Sequence, residues 1–313
     1  MALRRLGLLL LSCLALPAHA NLTIGATTSD LESLVRAVGK ERVNVFSVAK
    51  GTQDPHQIEA KPSFMVKFRD ADLIVAHGLD LESAWLTPLI QGARNTKIVR
   101  GAPGFLELGP ALNPIEVARG DQSRADGDVH PDGNPHFQLD PVRMGQAAIV
   151  LSTRLGELDA TNKEYYRKNA VDLEKLLAEK SKSWGARLKK AGLTEFASYH
   201  KTFAYFADRF GLRNDLQLEP KPGIPPTASH ILKVISEMRA RKVRLVLIEN
   251  YFDDSVRGKL EKEVSGLKVL KVPVSTGGEE GVRTNVELIE ALVSAIEKAL
   301  ENKEHILIYG DYD

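Results

Sequence analysis

The side chains here most suited to metal or acid–base chemistry are eight histidines, set against a single cysteine, Cys13, in 313 residues. Neutral imidazole is a common zinc ligand, and it titrates close enough to pH 7 to act as a general acid or base. Three of the eight sit where the backbone around them is restrained. His56 lies in Asp54-Pro55-His56-Gln57-Ile58-Glu59, directly after an expected strand and a glycine-containing loop. That is the carboxyl edge of a sheet, where open α/β folds bind ligands. His136 lies in Gly133-Asn134-Pro135-His136-Phe137-Gln138-Leu139-Asp140-Pro141, where two prolines restrict the chain and Asp140 can set the start of the next helix. His200 follows an expected strand at 196–199 and opens the helical run Thr202-Phe203-Ala204-Tyr205-Phe206.

Taken singly, each of the three also fits an ordinary surface or capping residue. Together, spacings of 80 and 64 residues put one on a first lobe, one on the segment leaving it and one at the start of a second lobe. A cleft between two lobes would gather them. The remaining histidines are weaker candidates. His77 ends a strand and suits a hydrogen-bonded structural role, His130 lies in a Gly/Asp-rich loop, and His230 and His305 have no acidic or histidine partner at ligand spacing. Glu249, closing Val246-Leu247-Ile248-Glu249, is a candidate to orient a ligand histidine, with a helix-cap or ion-pair role as the alternative. Three histidines and an open position also describe a hydrolytic zinc enzyme. Such a site normally carries a dedicated acid or base, and neither H-E-x-x-H, a G-x-S-x-G elbow nor a phosphate-cradling glycine loop occurs.

The elements that must position these residues follow from the apolar pattern. With 43% hydrophobic and 27% charged residues the chain can bury a full core. Short β-rich runs at 22–27, 43–48, 73–76 and 97–100 alternate with helical stretches, and the alternation resumes at 196–199, 216–218, 243–249 and 269–272. Between them, 141–192 is rich in Ala, Leu, Glu, Lys and Arg at helical spacing, enough for two helices, the second at about 162–190. The fold class is therefore α/β, two lobes each with a mostly parallel sheet flanked by helices, joined by a long rigid helix. The expected divisions are an N-terminal lobe at 21–140, linking helices at 141–191 and a C-terminal lobe at 192–313. Residues 306–309 read either as a last strand or as a loosely held tail.

Residues 1–20 read as a secretory signal peptide: Arg4 and Arg5, an apolar run too short to span a bilayer, and Ala18-His19-Ala20 as the cleavage site. Lipoprotein cleavage at Leu10-Leu11-Ser12-Cys13 is the competing reading. Loss of the leader would remove the only thiol, excluding disulfides and thiolate metal sites. Forty-two basic residues balance 41 acidic ones, which offers neither a nucleic-acid footprint nor a polybasic membrane patch.

Four ordered motifs carry a resemblance. They are Asp54-Pro55-His56 with Lys61-Pro62-Ser63; Ala71-Asp72-Leu73-Ile74-Val75 leading to Gly78-Leu79-Asp80-Leu81-Glu82; the Gly133-Asn134-Pro135-His136 box with Leu139-Asp140-Pro141; and Tyr199-His200-Lys201-Thr202-Phe203-Ala204-Tyr205-Phe206. From about residue 22 to 300 the chain resembles the zinc- and manganese-binding solute-binding proteins of bacterial metal ABC importers. The resemblance implies no enzyme, and leaves a surface adhesin of the same fold as an alternative, for which the sequence offers no repeat array. It implies metal ligands His56, His136 and His200, a periplasmic protein acting as a monomer, and delivery of the ion to a membrane permease. His130 resembles a sparse version of the His/Asp-rich loops of zinc-binding relatives. Manganese-preferring relatives carry an aspartate near the position of Val272, and this chain has no carboxylate between Val264 and Gly278. Water, His130, Glu279 and Glu280 remain as candidates for the fourth position. Three imidazoles imply Zn(II) as the cargo ahead of Mn(II), and an added carboxylate at position 272 is expected to improve manganese binding.

Overall fold

A computed structural model describes residues 21–118 and 130–301. The leader with Cys13, loop residues 119–129, His305 and the tail 302–313 lie outside the described residues. The N-terminal lobe runs β1 (Leu22–Thr28), α1 (Ser29–Gly39), β2 (Val43–Ala49), α2 (Pro62–Arg69), β3 (Leu73–Ala76), α3 (Leu86–Ala93) and β4 (Phe105–Glu107). Two helices follow, α4 (Pro141–Leu158) and α5 (Lys163–Lys190). The C-terminal lobe runs β5 (Glu195–Ser198), α6 (Ala204–Phe210), β6 (Arg213–Gln217), α7 (Ala228–Arg241), β7 (Leu245–Glu249), α8 (Arg257–Glu263), β8 (Lys268–Val272) and α9 (Asn285–Leu300).

Both sheets are parallel and share one plan, β2-β1-β3-β4 and β6-β5-β7-β8. In each, the chain moves outward from its first strand and then crosses back, so a topological switch point falls between β1 and β3 and between β5 and β7. Ligands of such sheets bind beyond the carboxyl ends of the strands at that point. Burial on both faces explains the unbroken apolar strands. Leu73 and Val75 of β3 enter a core shared with α1, α4 and α5, while Ile74 and Ala76 enter one with Phe68, Trp85 and Leu89. The period of two recurs in β7, where Leu245 and Leu247 face α5 and α9 while Val246 and Ile248 face α7.

Helix α5 belongs to both lobes. At 28 residues it is about 42 Å long. Tyr166, Ala170 and Leu177 lie in the N-lobe core, and Trp184 and Leu188 in the C-lobe core. Polar contacts seat it at both ends: Asn169 Nδ2 donates to the Val38 carbonyl, Trp184 Nε1 donates to Glu290, and Arg187 pairs with Glu290 and Glu297. The lobes also meet directly. Ser29 Oγ donates to the Thr276 carbonyl, the Thr276 amide donates to Asp30 Oδ1, and Asn250 Nδ2 donates to the carbonyls of Gly51 and Gly278. Gly51 lies so close to the Thr276 and Gly277 backbone that a Cβ there would collide with it. Asp30 is wholly buried, and that burial raises its carboxyl to about 6 against the hydrogen bonds that stabilise its charge.

Three sequence expectations are corrected. The strand at 97–100 does not form: Thr96–Ile98 is a 3₁₀ turn, and the fourth strand is Phe105–Glu107. Asn95 decides this, because its Oδ1 accepts from the Lys97 amide while its Nδ2 donates to the carbonyls of Phe68, Arg69 and Ala71. Those side-chain bonds offer the backbone an alternative to the ladder. The expected strand at 216–218 forms as Arg213–Gln217, aligned on β5 through an irregular register. Val272, expected beside the metal, is 2% exposed in the C-lobe core with Phe196, Leu245 and Val274. A carboxylate there would be a buried unpaired charge, so Val272→Asp destabilises the lobe rather than completing a site.

Candidate metal centre

His56 is carried on the loop after β2. Asp54 Oδ1 accepts from both the His56 amide (3.0 Å) and Nδ1 (2.8 Å), and Trp85 Nε1 donates to the Pro55 carbonyl at 2.9 Å. Burial pushes the Asp54 carboxyl up, but the hydrogen bonds and charge of His56 outweigh it and hold the group below the usual carboxylate range.

His136 is held from both lobes. Asn134 Oδ1 accepts from the His136 amide, Asn134 Nδ2 donates to Glu116 and to the Lys201 carbonyl, and Tyr205 donates its hydroxyl to the Asn134 carbonyl. Downstream, Asp140 caps α4 through the amides of Val142 and Arg143 and pairs with Arg143 and with Arg209 of α6. The expected role of Asp140 is thus borne out, with an added tie to the second lobe.

His200 sits just beyond β5, at the C-lobe switch point, before the 3₁₀ turn Lys201–Phe203. Its carbonyl accepts from Ser198 Oγ, and its Nδ1 lies 2.6 Å from Glu219 Oε2.

These three side chains meet. Ring centroids are 5.2 Å apart for His56–His136, 5.3 Å for His56–His200 and 5.4 Å for His136–His200, and one nitrogen from each lies within 4.8 Å of the others. Exposures are 8%, 1% and 3%. A tetrahedral ion with Zn–N bonds of about 2.0–2.1 Å needs nitrogens about 3.3 Å apart, so an approach of at most about 1.5 Å between them would fill three of the four positions. His136 Nε2 is buried without a hydrogen-bond partner. Unpaired buried nitrogen is costly unless an ion or water takes its lone pair. Burial, then the neighbouring imidazoles, hold His136 well below its ordinary value, leaving it neutral as a ligand must be.

His130 approaches the same centre from the loop, with Nε2 3.3 Å from His56 Nε2 and its centroid 5.4 Å from that of His56. Burial, ahead of the repulsion from His56 and His200, lowers it to about 3. Its nitrogens do not join the mutual grouping of the other three. His77 has the structural role expected of it: Nε2 contacts Thr28 Oγ1 and Nδ1 donates to the Pro135 carbonyl, directly behind His136. His230 bonds the Gln217 carbonyl. Glu279 and Glu280 are exposed and lie outside the histidine grouping.

Two supporting carboxylates escaped the sequence reading. The carboxylate at the His200 ring is Glu219, while Glu249 meets the His200 backbone. Glu249 is fully buried, and burial raises it to about 8 against hydrogen bonds from the Thr202 side chain and the His200 backbone. Asp54 has a local signal, its place two residues before His56. Glu219 is 19 residues from His200 and has none.

Residues 24–299 match the family described as zinc-uptake complex component A, periplasmic. The chain belongs to that family, whose members are solute-binding proteins of metal ABC transporters rather than enzymes. It is similar to the zinc-binding lipoprotein AdcA of Streptococcus pneumoniae, at 23% identity over 91% of this chain and 55% of that protein, so it spans about half the relative's length. It is also similar to the metal ABC transporter substrate-binding lipoprotein SloC of Streptococcus mutans, at 25% identity over 89% of this chain and 94% of the other. A crystal structure of ZnuA superposes with a TM-score of 0.76 at 21% identity, covering 90% of this chain and all of that one, which shows the fold.

Proposed function

We propose that this chain is an extracytoplasmic solute-binding protein that captures Zn(II) as cargo with His56, His136 and His200 and delivers it to the membrane permease of an ABC importer. One observation carries the reading: three buried imidazoles from three separate chain segments converge at near-equal distances, each on a restrained backbone. The cleft lies between an N-terminal lobe at 21–140 and a C-terminal lobe at 192–313, spanned by linking helices at 141–191. The leader 1–20 directs a monomer to the periplasm, with anchoring at Cys13 as the alternative that lipoprotein relatives support.

Zinc is favoured over manganese because the donors are nitrogen. Manganese prefers oxygen ligands and a higher coordination number, and among the described residues no carboxylate joins the grouping. His130, already beside His56, is the side chain best placed to complete a tetrahedron. A competition titration of both ions against one chelator tests this. The expected result is zinc tighter by at least about a thousandfold, in the direction set by the Irving–Williams order. Equal affinities would mean that oxygen donors complete the shell and that the three-imidazole reading is wrong.

A further inference from the structure

Glu219 links the candidate metal centre to a surface turn. Glu219 Oε2 lies 2.6 Å from His200 Nδ1, and the same oxygen accepts from the Gly223 amide at 3.2 Å. Glu219 is 6% exposed, whereas Lys221, Gly223 and Ile224 are at the surface. The turn Lys221-Pro222-Gly223-Ile224 is closed by the Ile224 amide on the Lys221 carbonyl at 3.0 Å, and Gly223 has φ +73°. Proline second and glycine third are the residues a type II turn requires, so the turn is locally encoded and its amide is aimed inward.

We propose that Glu219 is a positioning residue that couples the cargo site to this turn. The proposal rests on the reading of His200 as a ligand. A carboxylate can only accept, so the shared proton belongs on Nδ1 and the Nε2 lone pair is left for the ion. An ion at Nε2 withdraws density from the ring and makes Nδ1–H a stronger donor. That fixes the carboxylate whose Oε2 also holds Gly223, so metal capture steadies the turn. By linkage, abolishing the turn must weaken metal binding by the same factor, and a partial disturbance by less.

The test uses the full chain, its Glu219→Gln, Glu219→Ala and Gly223→Ala variants, and zinc chloride as probe. Three quantities are read: the imidazole ¹⁵N shifts of His200 without metal, amide exchange at Gly223 with and without one equivalent of zinc, and zinc affinity. In the parent, His200 should be a single Nδ1–H tautomer, and zinc should slow exchange at Gly223 about tenfold. Glu219→Gln keeps an acceptor, so the tautomer stays while affinity falls about tenfold. Glu219→Ala should give mixed tautomers and abolish the zinc-dependent protection. Gly223→Ala touches no ligand, strains the positive φ, and should weaken zinc about threefold. A Glu219→Ala protein with the parental tautomer and parental protection overturns the proposal, as does a Gly223→Ala protein with a disturbed turn and unchanged affinity. If the alanine variant does not fold, Glu219→Gln and Gly223→Ala decide. If the parent binds no zinc, the cargo reading fails, and the metal-free ¹⁵N spectrum separately decides whether Glu219 positions His200.

Discussion

Replacing His200 with alanine should weaken zinc binding by about a hundred- to a thousandfold, while His230→Ala should change it by less than about twofold. The contrast follows from where the two imidazoles sit. A structural zinc site is worth about 10–16 kcal/mol, shared among about four ligands, so each ligand carries about 3–4 kcal/mol, or two to three decades of affinity. His200 is 3% exposed, and its loss also removes one partner of the buried Glu219 carboxylate. His230 lies on α7 with its Nε2 already engaged by the Gln217 carbonyl. A chelator competition on both variants measures the difference. Comparable losses would show that His200 is not a ligand.

The second large effect is pH. Protons and zinc compete for the same imidazole lone pairs, and a free histidine titrates near pH ~6.5. Equal competition at all three ligands would let affinity fall by up to three protons per ion below that point. Burial changes the number: His136 is held well below its ordinary value by desolvation and by the surrounding imidazoles, so it gives up less of a proton to the ion than a solvated imidazole would. Affinity should still fall from about pH 7 to about pH 5, with a limiting slope nearer two protons per metal than three, amounting to about three decades. The same depressed value makes the metal-free protein less stable as pH falls. Below about 6.5 the unfolded chain protonates His136 while the folded chain does not, so stability present above that pH is lost on acidification toward the folded value. Isothermal titration in buffers of different ionisation enthalpy counts the protons. A slope of three would place His136 in a solvated setting, and a flat profile would assign the ion to oxygen donors.

Much of this was legible in the chain because apolar runs and helical periods report burial directly. The Leu73-Ile74-Val75-Ala76 strand is buried on both faces and could be nothing else, and the break between the two linking helices falls at Asp159, the residue that ends α4. His56, His136 and His200 could be singled out because prolines and strand ends frame them. Other features depend on three-dimensional neighbours. Lys97 to Arg100 has strand-like composition, but its fate is set by Asn95 reaching across to the end of α2. Val272 was placed by alignment to a ligand position, yet the strand alternation turns it into the core. Glu249 was the plausible orienting acid because it ends a strand at the cleft, and Glu219, on the neighbouring strand's exit, reaches the His200 ring instead. Such second contacts are selected by the packing of loops, which leaves no periodic trace in a sequence.

Zinc K-edge X-ray absorption on the protein loaded with one equivalent of zinc decides whether the three histidines hold the ion, because it counts donors and identifies imidazole by its outer-ring scattering. The account predicts a single zinc with at least three imidazole nitrogens at about 2.0–2.1 Å, falling by one in the His200→Ala variant. A shell of oxygen donors with one imidazole or none, or a spectrum unchanged by that substitution, would contradict it.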